Sequence, residues 1–434
     1  MTTNGLFSES SLGDRLDPAA HLWLVAPGVR TVLDALRPCG GITRFVGGAV
    51  RDALIGRPVN EVDFATTLQP EGVLDALQRA GLKGIPTGMA HGTITAVADG
   101  KGYEITTLRR DVRTFGRRAE VAFSDDWETD ATRRDFTFNA LYADEDGTIR
   151  DFTEGRRDLA RGLVRFIGRA EDRVREDSLR LLRFFRFTAW LGQGEPDPEA
   201  VDACRRFSPL LGGLSRERVG HEILKLLAAP DPRSAWALMT ACGATARILP
   251  VPPTEERWVR LVAAQLAADE TFAGRGENLR RTGLLRLTAL TPPTPESAQR
   301  VTEALRLSRA EGRLVESWGR LAAHLPSGHT AKVFQAALRQ ALYDEGEEVA
   351  LGAALLRTAE EGLTLDEVGV REVINGWTSP MFPLNGEDMR KLGWEEGPEM
   401  GLVLRAVEAW WRARDFQPTR EDCRAEACRF ADKT

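Results

Sequence analysis

The chain has 434 residues, of which 42% are hydrophobic and 28% charged, and a formal net charge of −6. That length suggests two or more domains. The acidic balance excludes a protein that coats nucleic acid over its whole surface, but it leaves room for a local RNA site.

From about Arg44 to Phe152 the pattern mixes strands and helices. RFVGGAV reads as a strand entering a glycine turn, and VRDALIG as a short helix ended near Gly56 and Pro58. VDFATT reads as a second strand. PEGVLDALQRAG, opening on Pro70 and closing at Gly81, reads as a helix. In GTITAVADGKGYEITTL, Ile94, Ala96 and Ala98 alternate with their neighbours, and an Asp-Gly-Lys-Gly turn leads to Tyr103, Ile105 and Thr107, which predicts a hairpin. AEVAFS and GTIRDFTEG read as further β stretches, and RRDFTFNALYAD as a helical or extended apolar segment.

From about Asp158 onward strand signals nearly vanish. REDSLRLLRFFRFTAWLG, RERVGHEILKLLAAP, PRSAWALMTACGATARIL, ESAQRVTEALRLS, RLVESWGRLAAHL and MGLVLRAVEAWWRAR all show helical spacing. The breaker cluster LTPPTPES, residues 290–297, is a candidate internal boundary. No stretch approaches the roughly 20 apolar residues of a membrane span. The N-terminus lacks the basic start and apolar run of a secretory signal, so the expectation is a cytoplasmic protein with no membrane attachment. The five cysteines are scattered and show no C-x2-C pair, which reads as reduced thiols and not as a zinc site.

Four segments carry candidate chemistry. In Gly47-Gly48-Ala49-Val50-Arg51-Asp52, a double glycine between strand and helix lets backbone approach a ligand, and Arg51 can set a forked cation on a triphosphate. In Glu61-Val62-Asp63, carboxylates at i and i+2 of a strand point to one face and could hold one or two Mg²⁺ ions. Glu104, on a strand that could lie beside them, is the best third carboxylate to deprotonate or orient an attacking hydroxyl. In RRDFTFNAL, Arg133 and Arg134 could reach phosphates or a ribose, and Asp135 could orient an arginine. In REDSLRLLRFFR, Asp177 and Arg180 stand three apart on an expected helix, a pair that can match the edge of a base, with Arg183 and Arg186 continuing along it. Each segment alone also reads as ordinary structure: a turn, a solvated strand edge, or an ion-paired helix surface.

Together, in this order, these segments resemble the class II tRNA nucleotidyltransferases, the CCA-adding enzymes of the DNA polymerase beta superfamily, which are relatives of bacterial poly(A) polymerases. The resemblance runs through GGAVRD, EVDFATT, GMAHGTITAV, EITTLRRDV, GRRAEVAF, RRDFTFNAL, GLVRFIGRAEDRVREDSLRLLRFFRF and SRERVGHEILKLL, with a weaker likeness in PLNGEDMRKLGWEEGPEMGLVLRAVEAWW. It implies an α+β N-terminal nucleotidyltransferase head followed by all-α neck, body and tail domains. The expected limits are an extension over 1–30, a head over 31–157, a neck with the nucleotide-selecting motif over 158–230, a body over 231–310 and a tRNA-binding tail over 311–434.

By the same resemblance, Gly48, Arg51 and Arg134 are expected to contact the nucleotide, and Glu61 and Asp63 to hold Mg²⁺. Asp177, Arg180, Arg183 and Arg186 are expected to form the protein template that selects C or A. The family's flexible loop corresponds to 110–119. The implied partners are the tRNA 3′ end, CTP and ATP; oligomeric state is left open. One departure stands out: the family usually has Asp where this chain has Glu61. The implied activity is template-independent addition or repair of the 3′-terminal CCA. A poly(A) polymerase, which would take ATP almost alone, and a catalytically weak RNA-binding homologue are the alternatives.

Overall fold

A computed structural model of the protein describes residues 12–115, 118–267, 279–327 and 330–431. The chain divides into two compact units, Met1–Ile248 and Leu249–Thr434. The first unit contains nine strands among its described residues: β1 (Thr43–Val46), β2 (Asp63–Thr66), β3 (Lys83–Gly88), β4 (Thr93–Ala98), β5 (Lys101–Thr107), β6 (Arg109–Phe115), β7 (Arg118–Phe123), β8 (Leu141–Ala143) and β9 (Ile149–Asp151). Seven form one sheet in the order β3-β4-β5-β2-β1-β8-β9, and β6 pairs with β7 separately. Within the large sheet β2 and β5 run parallel, and the other pairings are antiparallel.

The expected hairpin is β4–β5. Ile94, Ala96 and Ala98 are buried while their neighbours are partly open, as the alternation requires. Its two-residue turn places Asp99 at φ 51° and Gly100 at φ 70°, the left-handed pair that matches strand twist. Two features differ from the sequence expectation. LKGIPTG supplies an additional edge strand, β3, with no apolar alternation to announce it. The segment 110–119, expected as a loop, falls on the β6–β7 hairpin, and its tip at 116–117 lies outside the described residues.

The helices of this unit are α1 (Pro27–Leu36), α2 (Gly48–Leu54), α3 (Pro70–Arg79), α4 (Trp127–Thr132), α5 (Gly155–Arg161), α6 (Ala170–Glu176), α7 (Leu179–Leu191), α8 (Pro198–Phe207), α9 (Arg216–Leu227), α10 (Arg233–Ala241) and α11 (Thr245–Ile248). Helix α7 buries Leu179, Leu181, Leu182, Phe184, Phe185 and Phe187, and it packs on α9. Phe136, Phe138, Phe166, Phe184 and Phe187 form one aromatic cluster, with ring centroids 4.6–5.9 Å apart. Such pairs contribute about 0.5–1.5 kcal/mol each beyond area burial. They anchor the arginine-bearing helix α7 to the loop that follows α4.

The second unit is helical, with no strand among its described residues. The breaker cluster at 290–297 separates helices Leu279–Leu290 and Pro295–Ala304 inside this unit; the division between units falls earlier, at 248/249. Ser308 and Glu311 form a capping box at the start of Arg309–His324. Met389, Met400, Val407, Trp411, Cys423 and Ala427 build a separate core near the C-terminus. Among the described residues no helix is long and apolar enough to cross a membrane.

Candidate nucleotide and metal site

Strand β1 is followed by Gly47, whose φ of 70° and ψ of −120° are open to glycine and strained for any other residue. The Gly47 amide donates to the Leu141 carbonyl at 2.9 Å, and α2 begins at Gly48. Register does the rest. Val46 lies opposite Asp63, and Asp63 lies opposite Glu104. The glycine turn, Asp63 and Glu104 therefore occupy one row across β1, β2 and β5.

Glu61 departs from expectation. Pairing with β1 starts at Asp63, so β2 starts there as well, and Glu61 sits exposed in the preceding loop. The same-face argument for i and i+2 on a strand does not place it. Its charge still reaches the site. Burial pushes the Asp63 carboxyl up to about 6, with further contributions from the Glu104 and Glu61 charges, while Arg134 acts in the opposite direction. Among the described residues, Glu61, Asp63 and Glu104 have no hydrogen-bond or ion-pair partner on their side chains, and no group of three metal-ligating side chains is assembled. What the structure presents is a half-buried carboxylate repelled by two others. A hard divalent cation relieves that repulsion, so the donor chemistry fits one.

Arg134 is held beside this row by Asp130 of α4. Its Nη2 and Nε lie 3.0 and 3.2 Å from Asp130 Oδ2, and the Tyr142 hydroxyl donates to the same oxygen at 2.8 Å. Arg133 takes the other oxygen, Oδ1, at 2.6 Å. Burial alone would raise the Asp130 carboxyl. The guanidinium groups of Arg134 and Arg133 and the tyrosine hydroxyl hold it at about 2.

Arg51 forms a fork on its neighbour Asp52 (2.8 and 2.9 Å) and donates to Asn139 Oδ1 at 2.7 Å. Asn139 in turn donates to Asp135 at 3.0 Å, and Asp135 accepts from Arg183 at 2.6 Å. Asp135 thus orients an arginine, as its sequence position suggested. Its carboxyl, which burial would raise, is held at about 2 by Arg183, Asn139 and Arg180. Arg186 completes the chain on Glu222 of α9 at 2.6 Å, and Arg183 also approaches Glu222 at 4.0 Å. Three guanidinium groups lie over one ring: Arg51, Arg183 and Arg186 are 5.2, 5.5 and 4.0 Å from the centroid of Phe187.

Asp177 and Arg180 do not share a helical face. Asp177 is extended, at φ −147° and ψ 106°, in the break between α6 and α7, and Arg180 opens the first turn of α7. Asp177 pairs with Arg218 of α9 at 2.5 Å, whereas Arg180 donates to Glu176 at 2.5 Å. Both side chains are preorganised, each by a partner the sequence reading did not name.

Asp130, Asn139, Phe187, Arg218 and Glu222 are the site residues that sequence reasoning missed. Asn139, Phe187, Arg218 and Glu222 lie inside blocks that carried the resemblance, so a signal was present for them, and Asp130 lies outside those blocks. Lys225, one turn beyond Glu222, is a further cation near the site. Burial and Arg186 lower its pKa, and the Glu222 and Glu61 charges act in the other direction.

Known proteins resemble this chain over most of its length. The family model described as the poly A polymerase head domain matches residues 43–165, and the one described as the probable RNA and SrmB-binding site of polymerase A matches 195–253. The CCA tRNA nucleotidyltransferase 1, mitochondrial, of Danio rerio is 33% identical over 391 residues, covering 87% of this chain and 85% of that protein. The CCA-adding enzyme of Geobacillus stearothermophilus is 40% identical over 235 residues, covering 54% of this chain and 57% of its own length. In structure, the Bacillus stearothermophilus CCA-adding enzyme solved in complex with CTP superimposes with a TM-score of 0.69 at 29% identity, covering 93% of this chain and 96% of that one.

Proposed function

This chain belongs to the CCA tRNA nucleotidyltransferase family, and on that premise we propose that it adds or repairs the 3′-terminal CCA of tRNA from CTP and ATP. The observation that carries the reading is the row formed by the Gly47–Gly48 turn, Asp63 and Glu104, with the arginine column of α7 in the same unit. In the reaction the tRNA 3′ hydroxyl attacks the α-phosphate of the nucleotide, a phosphodiester bond forms, and pyrophosphate leaves.

The residues divide the work by their chemistry. Asp63 and Glu61 would hold the divalent ion, which we take to be Mg²⁺; when bound it neutralises charge building up on the phosphate oxygens. Glu104 faces Asp63 across the parallel pairing and is placed to orient the attacking hydroxyl or accept its proton. Gly48 lets the phosphates approach the backbone at the start of α2, and Arg51 and Arg134 supply cations to them. Asp177 and Arg180 present an acceptor and a forked donor to the base edge, with Arg183 and Arg186 behind them. The proposed domains are the head at 31–157, preceded by an extension at 1–30, then the neck at 158–230, the body at 231–310 and a tRNA-binding tail at 311–434. A cytoplasmic location belongs to the same reading, although several relatives are named as mitochondrial.

Pyrophosphate release tests the assignment. With a tRNA lacking CCA, the protein should release pyrophosphate with CTP alone and more with CTP plus ATP, but little with GTP or UTP. Vigorous release with ATP alone, on RNAs other than tRNA, would instead support the poly(A) polymerase reading.

A further inference from the structure

The Asp130 carboxylate is 1% exposed, yet every lone-pair direction it offers is taken. Its Oδ1 accepts from Arg133 Nε and Nη2 at 2.8 and 2.6 Å and from the Arg109 amide at 3.3 Å. Its Oδ2 accepts from Arg134 twice and from the Tyr142 hydroxyl. Tyr142 accepts from Arg134 Nε at 3.2 Å while donating to Asp130, so its proton has one consistent place. Arg133 also donates to the Arg109 carbonyl at 3.1 Å. One oxygen therefore grips the root of the β6–β7 hairpin and the other grips the arginine whose charge acts on Asp63.

A buried ion pair is weak evidence for a purely stabilising role, because taking each charge out of water can cost more than the pairing returns. Here two guanidinium groups are drawn to one buried carboxylate, and Arg134 keeps 18% of its side chain open while its Nε and Nη2 are fixed. That arrangement suits a cation that must be preorganised toward a ligand.

We infer that Asp130 is a positioning residue for nucleotide transfer: it sets Arg134 beside the Asp63–Glu104 row, and it does so from the root of the hairpin. This rests on the reading of Arg134 as a nucleotide contact. Asp130 touches no substrate in this account; it acts through Arg134, so its loss should weaken nucleotide capture more than the chemical step.

The test is a double-mutant cycle on the full-length protein, read by steady-state CTP addition to a tRNA lacking CCA and by CTP binding. Asp130→Asn should raise KM for CTP about tenfold, the scale of lost hydrogen bonds to a charged group, with kcat within about threefold. In an Arg134→Ala background the same change should have no further effect on KM, because the group it positions is gone. Tyr142→Phe removes one hydroxyl from the same oxygen and keeps the ring; it should raise KM about threefold and serves where Asp130→Asn folds poorly. Independent, additive losses, or an unchanged KM in both Asp130→Asn and Tyr142→Phe, would overturn the inference. A wild-type protein that neither binds CTP nor extends tRNA would instead overturn the functional reading beneath it.

Discussion

Asp63 and Glu104 are direct register partners across the parallel pairing of β2 with β5. Strand neighbours in register point to the same face, so the two carboxylates crowd one another, and burial leaves Asp63 poorly solvated. Glu61 adds its charge from a loop and not from the strand. The three acids are therefore unequal: the sheet fixes Asp63 and Glu104, and Glu61 stands in the loop before β2.

Substitution should expose that inequality. Asp63→Asn should lower nucleotide addition by roughly 10²–10³-fold or more, the scale of removing a principal electrostatic contact to the transition state. Glu61→Asp should change the rate by less than about tenfold, because a loop can readjust for one methylene. Single-turnover addition of one cytidine measures both. A larger loss at Glu61→Asp than at Asp63→Asn would show the loop residue to be the principal ligand.

Metal and proton should compete at Asp63. Its carboxyl is raised from 3.8 to about 6 in the folded protein. A raised carboxyl favours folding below its unfolded value and works against folding as pH rises through its folded value. Mg²⁺ needs the ionised form. Mg²⁺ should therefore raise the melting temperature clearly at about pH 8 and hardly at about pH 5, and Asp63→Asn should abolish the rise. An equal rise at both pH values would place the ion elsewhere.

Acid should dismantle the arginine network in a defined window. Asp130 and Asp135 are depressed from 3.8 to about 2. Depressed carboxyls contribute stability that is present above the unfolded value and is lost as pH falls toward the folded one, here between about 4 and 2. Urea midpoints should drop across that interval. Asp135→Asn should be less stable than wild type near neutrality, by about 3–5 kcal/mol for a broken buried pair, and should show a shallower acid dependence. A parallel acid limb would contradict the assignment.

If Asp177 and Arg180 select the base as proposed, base choice should depend on the two ion pairs that hold them. Asp177 is held by Arg218, and Arg180 by Glu176. Arg180→Ala should let G or U enter more often while tRNA affinity stays within about threefold, since loss of a bidentate reader costs about 1–3 kcal/mol of discrimination. Arg218→Ala should blur selection in the same direction by freeing Asp177. Sequencing of product ends, next to a tRNA binding titration, separates the two effects; unchanged fidelity in Arg180→Ala would remove it from the template.

Local signals announced much of the head. The Asp99–Gly100 turn, the Pro70 and Gly81 punctuation of α3 and the alternation through Ile94, Ala96 and Ala98 are short-range and were readable. Strands β3 and β6 carry no clean alternation, and each forms by antiparallel pairing with the strand that follows it, β4 and β7. Asp177 looked helical by spacing, but its side chain accepts the Leu179 amide and its backbone turns extended, which breaks the helix in two. Asp130 and Glu222, which hold arginines, and Arg218, which holds Asp177, do not follow from spacing, because periodicity records which face a residue occupies and not what it meets there. The candidate site residues came from the resemblance, and the structure adds the groups that hydrogen-bond or pair with several of them, Asp130 on Arg134, Glu222 on Arg186 and Arg218 on Asp177.

The most direct measurement is extension of a tRNA that lacks CCA, with Mg²⁺ and with CTP and ATP supplied singly and together, the product ends being read by gel and sequencing. Two cytidines should be added with CTP alone and a single further adenosine when ATP is also present, followed by arrest. Long adenosine tails formed without CTP, or intact tRNA binding with no extension under any combination, would contradict the proposed function.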